Sequence, residues 1–212
     1  MTDELHALQP TAEKRWKTSD PVLHKLSRRT RLESWPLAED DGFTALVTSI
    51  THQQVSLAAG RTIYSNFVKA VGGTVTPRRV VARTPEQLRA AGLSRAKSAY
   101  ILDLADKTMR GDIEFKRFPS MTDDAIMTEL TAVKGIGDWT AKMFLMFHLR
   151  RPDVWAPEDL GLRIAVSQTY GVPEPKARTV MEKQRDAWAP FNSVAARVLW
   201  QSRRGTPLKK KA

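Results

Sequence analysis

Cysteine is absent from this chain of 212 residues, which excludes disulfides, cysteine-ligated zinc and cysteine-ligated iron–sulfur clusters. The sequence also lacks an apolar run near the roughly 18 residues that a membrane-spanning helix needs. Its first residues carry no apolar stretch of the kind found in signal peptides, so we expect none. The four histidines lie far apart and show no metal-ligand spacing. These absences favour a cytosolic setting and argue against a membrane partner.

Acidic residues are fewer than basic ones. The chain has 34 Lys and Arg against 23 Asp and Glu, a net charge of +11 and a pI near 10.1. Such a charge describes partners rather than fold, and it favours nucleic acid, with a large salt-dependent phosphate contribution to binding. An anionic membrane surface is less favoured, because no basic amphipathic anchor stands out. A merely basic globular protein is the remaining alternative.

Convincing β-strand patterns are absent as well, since no segment alternates apolar and polar residues for long enough. Helix signals are frequent, and Thr84 followed by Pro85 and Gln87 has the form of a capping box. Residues 1–19 are polar and read as irregular, residues 33–41 around Pro36 read as a connector, and residues 206–212 read as a frayed tail. The sequence therefore predicts an all-α fold, with further helix N-caps at Asp20, Ser94 and Thr122.

The segment LTAVKGIGDWTAKMFLMF, residues 130–147, predicts two helices joined by a tight glycine turn. Gly135 and Gly137 suit the positive φ angles that such a turn requires. Trp139, Met143 and Phe147 recur every fourth residue, so one face of the second helix is apolar. Backbone N–H groups at the start of that helix could bind a phosphate. The spacing alone fits an ordinary helical corner equally well.

A polar triplet, His52-Gln53-Gln54, separates two apolar helical segments. It is either a plain polar loop or a loop that presents amides to a groove or to a stacked base. The spacing within the loop does not choose between these interpretations.

Seven ordered pieces together resemble the helix-hairpin-helix (HhH-GPD) DNA glycosylase superfamily, DNA-3-methyladenine glycosylase II type. That family is defined by a hairpin, a Gly/Pro-rich loop and an aspartate. The resemblance covers about residues 20–200. The matching pieces are the hairpin VKGIGDWTA, the loop DVWAP, PEDLGLR with Asp159, and DPVL, LVTSITHQQVS, GLSRAKSAYI and WAPFNSVAARVLW.

The resemblance implies two helical lobes with a cleft between them. The expected boundaries are residues 1–42 plus 149–212 for a discontinuous N/C-terminal lobe and residues 43–148 for a middle lobe that ends in the hairpin. The N-terminal sheet domain of some relatives is expected to be absent, because few residues precede Phe43.

The resemblance also assigns the chemistry. Asp159 matches the catalytic carboxylate, which stabilises the sugar oxocarbenium ion and orients the attacking water. Glu158 is its acidic neighbour, and a first-turn helix carboxylate is the plain structural alternative for Asp159. Relatives that also cut the strand as lyases carry a lysine where this chain has Trp139. No Schiff base can form there, so the expected enzyme is monofunctional.

Further residues follow from the same match. Trp139 and Trp155 are the expected walls of the base pocket, because a cationic base is attracted to aromatic faces. Gln54, with Gln53 beside it, matches the residue that fills the gap left by a flipped base, although relatives often use an apolar wedge. The expected DNA-backbone contacts are Lys134, Gly135, Gly137 and Trp139, and the expected main-chain ligands of a monovalent cation (Na⁺ or K⁺) are Thr131, Val133 and Ile136.

The expected function is therefore a DNA glycosylase of base excision repair. It would flip alkylated purines of the 3-methyladenine and 7-methylguanine type out of double-stranded DNA and hydrolyse the N-glycosidic bond. The alternatives are a glycosylase of the same fold for deaminated, oxidised or mismatched bases, and a non-catalytic DNA-binding protein. No cofactor is expected to be required. A monomer is expected, in the cytoplasm with the bacterial nucleoid or in a eukaryotic nucleus.

Overall fold

The computed structural model describes residues 4–33 and 41–203. This part of the chain contains thirteen α-helices, one short 3₁₀ segment (Phe118–Ser120) and no β-strand, so the predicted all-α fold is confirmed. The helices are α1 Glu4–Ala7, α2 Gln9–Ser19, α3 Pro21–Ser27, α4 Gly42–His52, α5 Leu57–Ala70, α6 Pro77–Val81, α7 Pro85–Ala90, α8 Arg95–Arg110, α9 Asp123–Thr131, α10 Asp138–Phe147, α11 Leu160–Tyr170, α12 Glu174–Trp188 and α13 Asn192–Ser202.

The helix-start signals read from the sequence are confirmed in detail. Thr84 and Gln87 form a reciprocal capping box at the start of α7. The side chains of Asp20, Ser94 and Thr122 accept backbone hydrogen bonds as the N-caps of α3, α8 and α9. These local rules worked because a cap needs only residues within one turn of itself.

The prediction for residues 1–19 is wrong, because the described part of this segment is helical. It forms α1 and α2, and Leu5, Ala12 and Trp16 are fully buried. Trp16 is surrounded by polar residues in the sequence, so the apolar residues of this segment form only a weak helical period. Tertiary packing of a few apolar side chains stabilises these helices. The predicted connector around Pro36 and the lysine-containing tail lie outside the described residues.

The contacts divide the chain into two units, Met1–Leu37 with Arg150–Ala212 and Ala38–Leu149. The sequence placed the corresponding boundaries after residues 42 and 148. In the first unit, α11 packs against α12 and α13, while α2 packs on α3 and α12. Its core includes most of α13, where every residue from Asn192 to Leu199 is buried.

A buried carboxylate ties three helices of the first unit together. Asp20 is 2% exposed, and its Oδ1 caps α3 by accepting from the N–H groups of Val22 and Leu23. Its Oδ2 accepts from the Tyr170 hydroxyl and, at 2.8 Å, from the Trp188 indole N–H. Burial and the hydrogen bond to the Asp20 carboxylate raise the pKa of Tyr170 far above its ordinary value. The hydroxyl therefore stays a proton donor at any working pH.

In the second unit, α8 is the central element, and α4, α6 and α7 pack on it. Helix α9 packs against α10, and α10 also packs against α4. Leu104 and Ala105 of α8 are fully buried, as are Leu46 and Ile50 of α4. This arrangement brings the end of α4 and the turn between α9 and α10 next to the same helix. None of the helices in the described ranges is long and apolar enough to cross a membrane.

Candidate active site

Asp159 is the N-cap of α11, and the residue is 9% exposed. The Oδ1 atom accepts from the backbone N–H of Leu162, which is the usual N-cap bond. The same Oδ1 accepts from the Trp200 indole N–H at 3.0 Å, across from α13. A capping role alone would need only the first bond. The second donor links the carboxylate to a separate helix. Such an arrangement suits a carboxylate that must keep one orientation during a reaction.

Trp200 is the site residue that sequence reasoning missed, although it ends the quoted segment WAPFNSVAARVLW. Gly161 makes room for this contact. A Cβ at Gly161 would lie 3.1 Å from Asp159 Oδ1, which is a tight contact, and 3.4 Å from Trp200 Nε1, so a side chain there would crowd the carboxylate. Arg203 donates to the Gly161 carbonyl at 3.2 Å and closes the same corner. The signal available in the sequence was a glycine in the first turn of a helix, next to a candidate carboxylate.

Trp155 lies in the first unit as a half-buried ring. It meets Trp188 edge to face with ring centroids 6.0 Å apart, and the Arg185 guanidinium lies 5.8 Å from its centroid. Trp188 in turn donates to Asp20. The structure therefore packs Trp155 against the indole that donates to Asp20. Its predicted role as a base-pocket wall stays a prediction.

The predicted hairpin is present between α9 and α10. Gly135 has φ +79°, the left-handed conformation that glycine adopts without strain, and a Cβ there would lie 2.1 Å from the Tyr100 ring. Gly137 is the N-cap of α10 with φ −94°, so the positive φ predicted for it is wrong, and it supplies no capping side chain. The Lys134 side chain is exposed. An uncapped helix start beside a lysine is a suitable site for a phosphate, while Asp138 in the first turn of α10 opposes a second negative charge there.

Two hairpin amides are already used inside the protein. The Lys134 N–H donates to Asp103 Oδ2 of α8 at 2.9 Å, and the Ile136 N–H donates to the Val133 carbonyl at 3.1 Å. Burial by itself would raise the pKa of the Asp103 carboxyl. The hydrogen bonds from Lys107 and from the Lys134 N–H, with both lysine charges, outweigh burial and hold that pKa below its ordinary value. Asp103 is therefore a fixed anion under the turn.

Val133 and Ile136 are 2% and 3% exposed, and Thr131 is the last residue of α9. Their main-chain carbonyls were the predicted ligands of a monovalent cation. The Val133 carbonyl accepts one hydrogen bond and keeps a second lone pair, and oxygen atoms are suitable ligands for such an ion. Main-chain carbonyl oxygens are therefore chemically suitable ligands for the predicted monovalent cation.

Trp139 is not a core aromatic, because 45% of its surface is exposed. It lines a surface pocket of about 440 Å³ together with Ser49, His52, Gln53, Gln54 and Thr140. The structure thus places two predicted groups, the pocket aromatic and the wedge loop, on one concave surface of the second unit. Asp159 and Trp155 belong to the first unit.

A second cavity of about 270 Å³ lies between α4 and α10 and is more apolar. Met143 and Phe147 line it, with Phe144 stacked on His148 at a centroid distance of 4.6 Å. Ser49 and Thr140 line both cavities. The apolar face that the sequence predicted for α10, Trp139 with Met143 and Phe147, therefore forms cavity wall, and the buried residues of α10 include Thr140, Ala141, Phe144, Leu145 and Met146.

The loop after α4 has an unusual backbone. Gln54 has φ +54°, a left-handed conformation that non-glycine residues seldom adopt, and its side chain is exposed. The side chain of the neighbouring Gln53 is instead half-buried, and its Nε2 donates to the Gly135 carbonyl at 3.1 Å. Residues held in sparsely populated conformations concentrate at functional sites. Two non-glycine residues in the described ranges have a positive φ, Gln54 and Arg150, and Gln54 is the predicted wedge.

Residues 47–190 match the sequence model of the HhH-GPD superfamily base excision DNA repair protein. A DNA-3-methyladenine glycosylase of Saccharomyces cerevisiae is 30% identical over an alignment of 204 residues, and the match covers 78% of this chain and 68% of that protein. DNA-3-methyladenine glycosylase 1 of Schizosaccharomyces pombe is 28% identical over 169 residues, or 78% of this chain and 74% of that protein. The chain spans 58% of the length of a Bacillus subtilis relative, YfjP.

Solved structures give the same result. A DNA-3-methyladenine glycosidase from Bacillus halodurans superposes with a TM-score of 0.81 at 33% identity, covering 91% of this chain and 89% of that one. The 3-methyladenine DNA glycosylase of Schizosaccharomyces pombe, in complex with abasic DNA, has a TM-score of 0.78 at 26% identity and covers 94% and 100%. The chain belongs to the HhH-GPD superfamily of base excision DNA repair proteins.

Proposed function

We propose that this protein is a monofunctional DNA glycosylase that removes alkylated purines from double-stranded DNA and leaves an abasic site. The observation that carries the proposal is Asp159, a residue only 9% exposed whose carboxylate accepts from the Leu162 N–H and the Trp200 indole. Support comes from the relatives named DNA-3-methyladenine glycosylase and from the structural neighbour in complex with abasic DNA.

The chemistry needs a carboxylate more than it needs an acid. A purine alkylated at N3 or N7 carries a positive charge and leaves as a neutral base, so its departure requires no proton donor. Positive charge develops on the deoxyribose as the bond breaks, which is the charge problem of glycoside hydrolysis. A fixed Asp159 carboxylate stabilises that charge and orients or deprotonates the attacking water. Its two donors keep it from turning away during the reaction.

The absence of lyase chemistry follows from one position. Lyases of this superfamily use a lysine two residues after the second hairpin glycine, and here that residue is Trp139. An indole cannot form the Schiff base that leads to strand cleavage. Trp139 instead offers an exposed aromatic surface in the pocket, with Met143 and Phe147 farther along the same face. Attraction between a cationic purine and an aromatic face contributes about 0.5–2 kcal/mol.

DNA handling is assigned to the hairpin and the loop after α4. The amides of Gly135, Gly137 and Trp139, with the Lys134 side chain, bind the strand backbone. Gln54, exposed and left-handed, occupies the gap left by the flipped nucleotide. A monovalent cation on the Thr131, Val133 and Ile136 carbonyls would add positive charge to the backbone contact, and the protein acts on DNA as a monomer.

The test is Asp159→Asn, measured on duplex DNA that contains 3-methyladenine, 7-methylguanine, ethenoadenine, hypoxanthine or uracil. We expect the unsubstituted protein to release the alkylated purines. The variant should release none, while its affinity for DNA persists or increases, because a negative charge near phosphates is removed. Glu158→Gln is the matched control, since it removes the neighbouring carboxylate and should keep excision.

Three results would contradict the proposal. Release of no alkylated base by the unsubstituted protein would reject the substrate class, and release of uracil or hypoxanthine alone would favour a glycosylase for neutral bases. Unchanged activity in Asp159→Asn would show that Asp159 is only a helix cap. Cleavage of the product strand without heat or added base would reject the monofunctional assignment.

A further inference from the structure

One side of helix α8 contacts both segments to which DNA binding is assigned, the Gln53–Gln54 loop and the hairpin. The Lys97 ammonium donates to the Thr51 carbonyl at 2.8 Å, in the last turn of α4 before the Gln53–Gln54 loop. The Tyr100 ring fills the space that a Cβ of Gly135 would need, and Asp103 accepts from the Lys134 N–H. These three residues are spaced by three positions, which places them along one side of a helix.

Gln53 connects the same two segments directly. Its Nε2 donates to the Gly135 carbonyl at 3.1 Å, and its side chain is half-buried. The peptide groups on either side of the hairpin tip are thus both fixed from outside the hairpin, by Asp103 at Lys134 and by Gln53 at Gly135. Gln54, the next residue after Gln53, is the one with φ +54°.

The backbone of Gln54 is held in this conformation by neighbouring residues. The left-handed backbone conformation of Gln54 costs free energy, and its exposed side chain does not offset that cost. The surroundings hold it there, with Lys97 fixing the backbone before it and Gln53 fixing the residue beside it. The loop and the hairpin therefore form one pre-organised surface.

We propose that Gln53 and Lys97 are positioning residues that hold the Gln54 loop in fixed register with the hairpin, so that backbone binding and insertion into the base stack occur as one rigid contact. The proposal rests on the proposed function, in which the hairpin binds the strand and Gln54 inserts. It predicts that losing Gln53 leaves strand binding intact and weakens insertion, since pre-organisation lowers the ordering cost of the bound state.

The experiment measures insertion without requiring excision. Duplex DNA carries a tetrahydrofuran abasic-site analogue with 2-aminopurine beside it, and the rise in 2-aminopurine fluorescence on binding reports loss of stacking. We expect Gln53→Met and Lys97→Met to lower the equilibrium constant for unstacking about five-fold, as expected for loss of one hydrogen bond. Lys97→Arg, which keeps a donor, should recover most of it. Lys69→Met removes an exposed charge from α5 of the same unit and should leave unstacking unchanged.

A double-mutant cycle separates positioning from general weakening. If Gln53 acts through Gln54, the double variant Gln53→Met with Gln54→Ala should unstack no worse than Gln54→Ala alone. Thermal unfolding and affinity for undamaged duplex are measured on every variant, and Gln53→Met should leave that affinity within about two-fold, because the hairpin contacts remain.

Additive effects of Gln53→Met and Gln54→Ala on unstacking would overturn the proposal, as would an equal loss of undamaged-duplex affinity. Non-additive unstacking with a negative excision panel would retain the positioning role and reject the alkylpurine substrate. If the unsubstituted protein binds the abasic analogue without any fluorescence rise, the insertion step itself is absent and both assignments to this loop fall.

Discussion

The position of Asp159 in the sequence does not by itself distinguish a helix cap from a catalytic carboxylate. An aspartate before a helix is most often a cap, and Asp159 is one, since it accepts from the Leu162 N–H. The Trp200 indole, donating from α13 at 3.0 Å, adds a constraint that capping does not require. The role of the aspartate therefore depends on a contact between residues that are distant in the sequence.

Trp200→Phe tests that contact, because phenylalanine keeps an aromatic ring and removes the N–H. A hydrogen bond to a charged group contributes about 1.5–3 kcal/mol. We expect the single-turnover excision rate to fall about ten- to a hundred-fold, since 1.36 kcal/mol corresponds to ten-fold. Affinity for abasic DNA should change little.

Trp16→Phe is the control for the loss of an indole, because Trp16 is fully buried in α2 of the same unit. It should lower stability and leave the excision rate per folded molecule unchanged. An unaltered rate in Trp200→Phe would show that the Leu162 N–H alone orients the carboxylate.

Among the helices, α8 both contributes to the core and contacts the loop and the hairpin to which DNA binding is assigned in the proposal. Its buried side belongs to the core of the second unit, and its Lys97–Asp103 side supports the Gln53–Gln54 loop and the hairpin. Asp103 is the anion of this support, with a pKa held below its ordinary value. The carboxylate therefore contributes stability that is present above its unfolded pKa of about 3.9 and is lost as the pH falls through the lower folded value.

Asp103→Asn should show this pH dependence. The variant should be less stable than the unsubstituted protein at neutral pH, and the difference in free energy of unfolding should shrink as the pH drops below about 4. Urea denaturation at pH 7, 5, 4 and 3 measures it. Asp106→Asn, an exposed carboxylate on the same helix, is the control and should give a small difference that does not depend on the Lys134 contact. A constant difference for Asp103→Asn at all four values would contradict the assignment.

At the scale of the whole molecule, the net charge of +11 predicts a large salt-dependent contribution to the proposed binding of DNA. Each phosphate neutralised changes the slope of log K against log salt by about −0.9 for duplex DNA. Lys134→Met should reduce the magnitude of that slope by about one and weaken binding to damaged and undamaged duplexes alike. Fluorescence anisotropy at several salt concentrations checks both expectations.

The charge-matched control is Lys183→Met, which removes an exposed lysine from α12 in the other unit. It leaves the net charge equal to that of Lys134→Met. An equal reduction of the slope by both variants would show that charge acts through the general field of the protein, and it would contradict a specific contact at the hairpin.

The sequence alone determined the all-α fold, because caps and turns are local: Thr84 with Gln87, Ser94 and Gly135 each act on residues within one turn. It also predicts Asp159 as the catalytic carboxylate and an enzyme without lyase activity, since both predictions depend on residue identity at a motif position. It did not predict α2, the hydrogen bond from Trp188 to Asp20 or the one from Trp200 to Asp159, because these depend on contacts between distant residues.

Only the tertiary structure decided which apolar residues are core and which are cavity wall. The period of Trp139, Met143 and Phe147 is that of any buried helical face, yet Trp139 is 45% exposed and the other two line a cavity. Periodicity specifies a shared face, and burial depends on what packs against that face. The link from Gln53 to Gly135 was hidden for the same reason, since hydrogen bonds between distant loops leave no pattern in the order of residues.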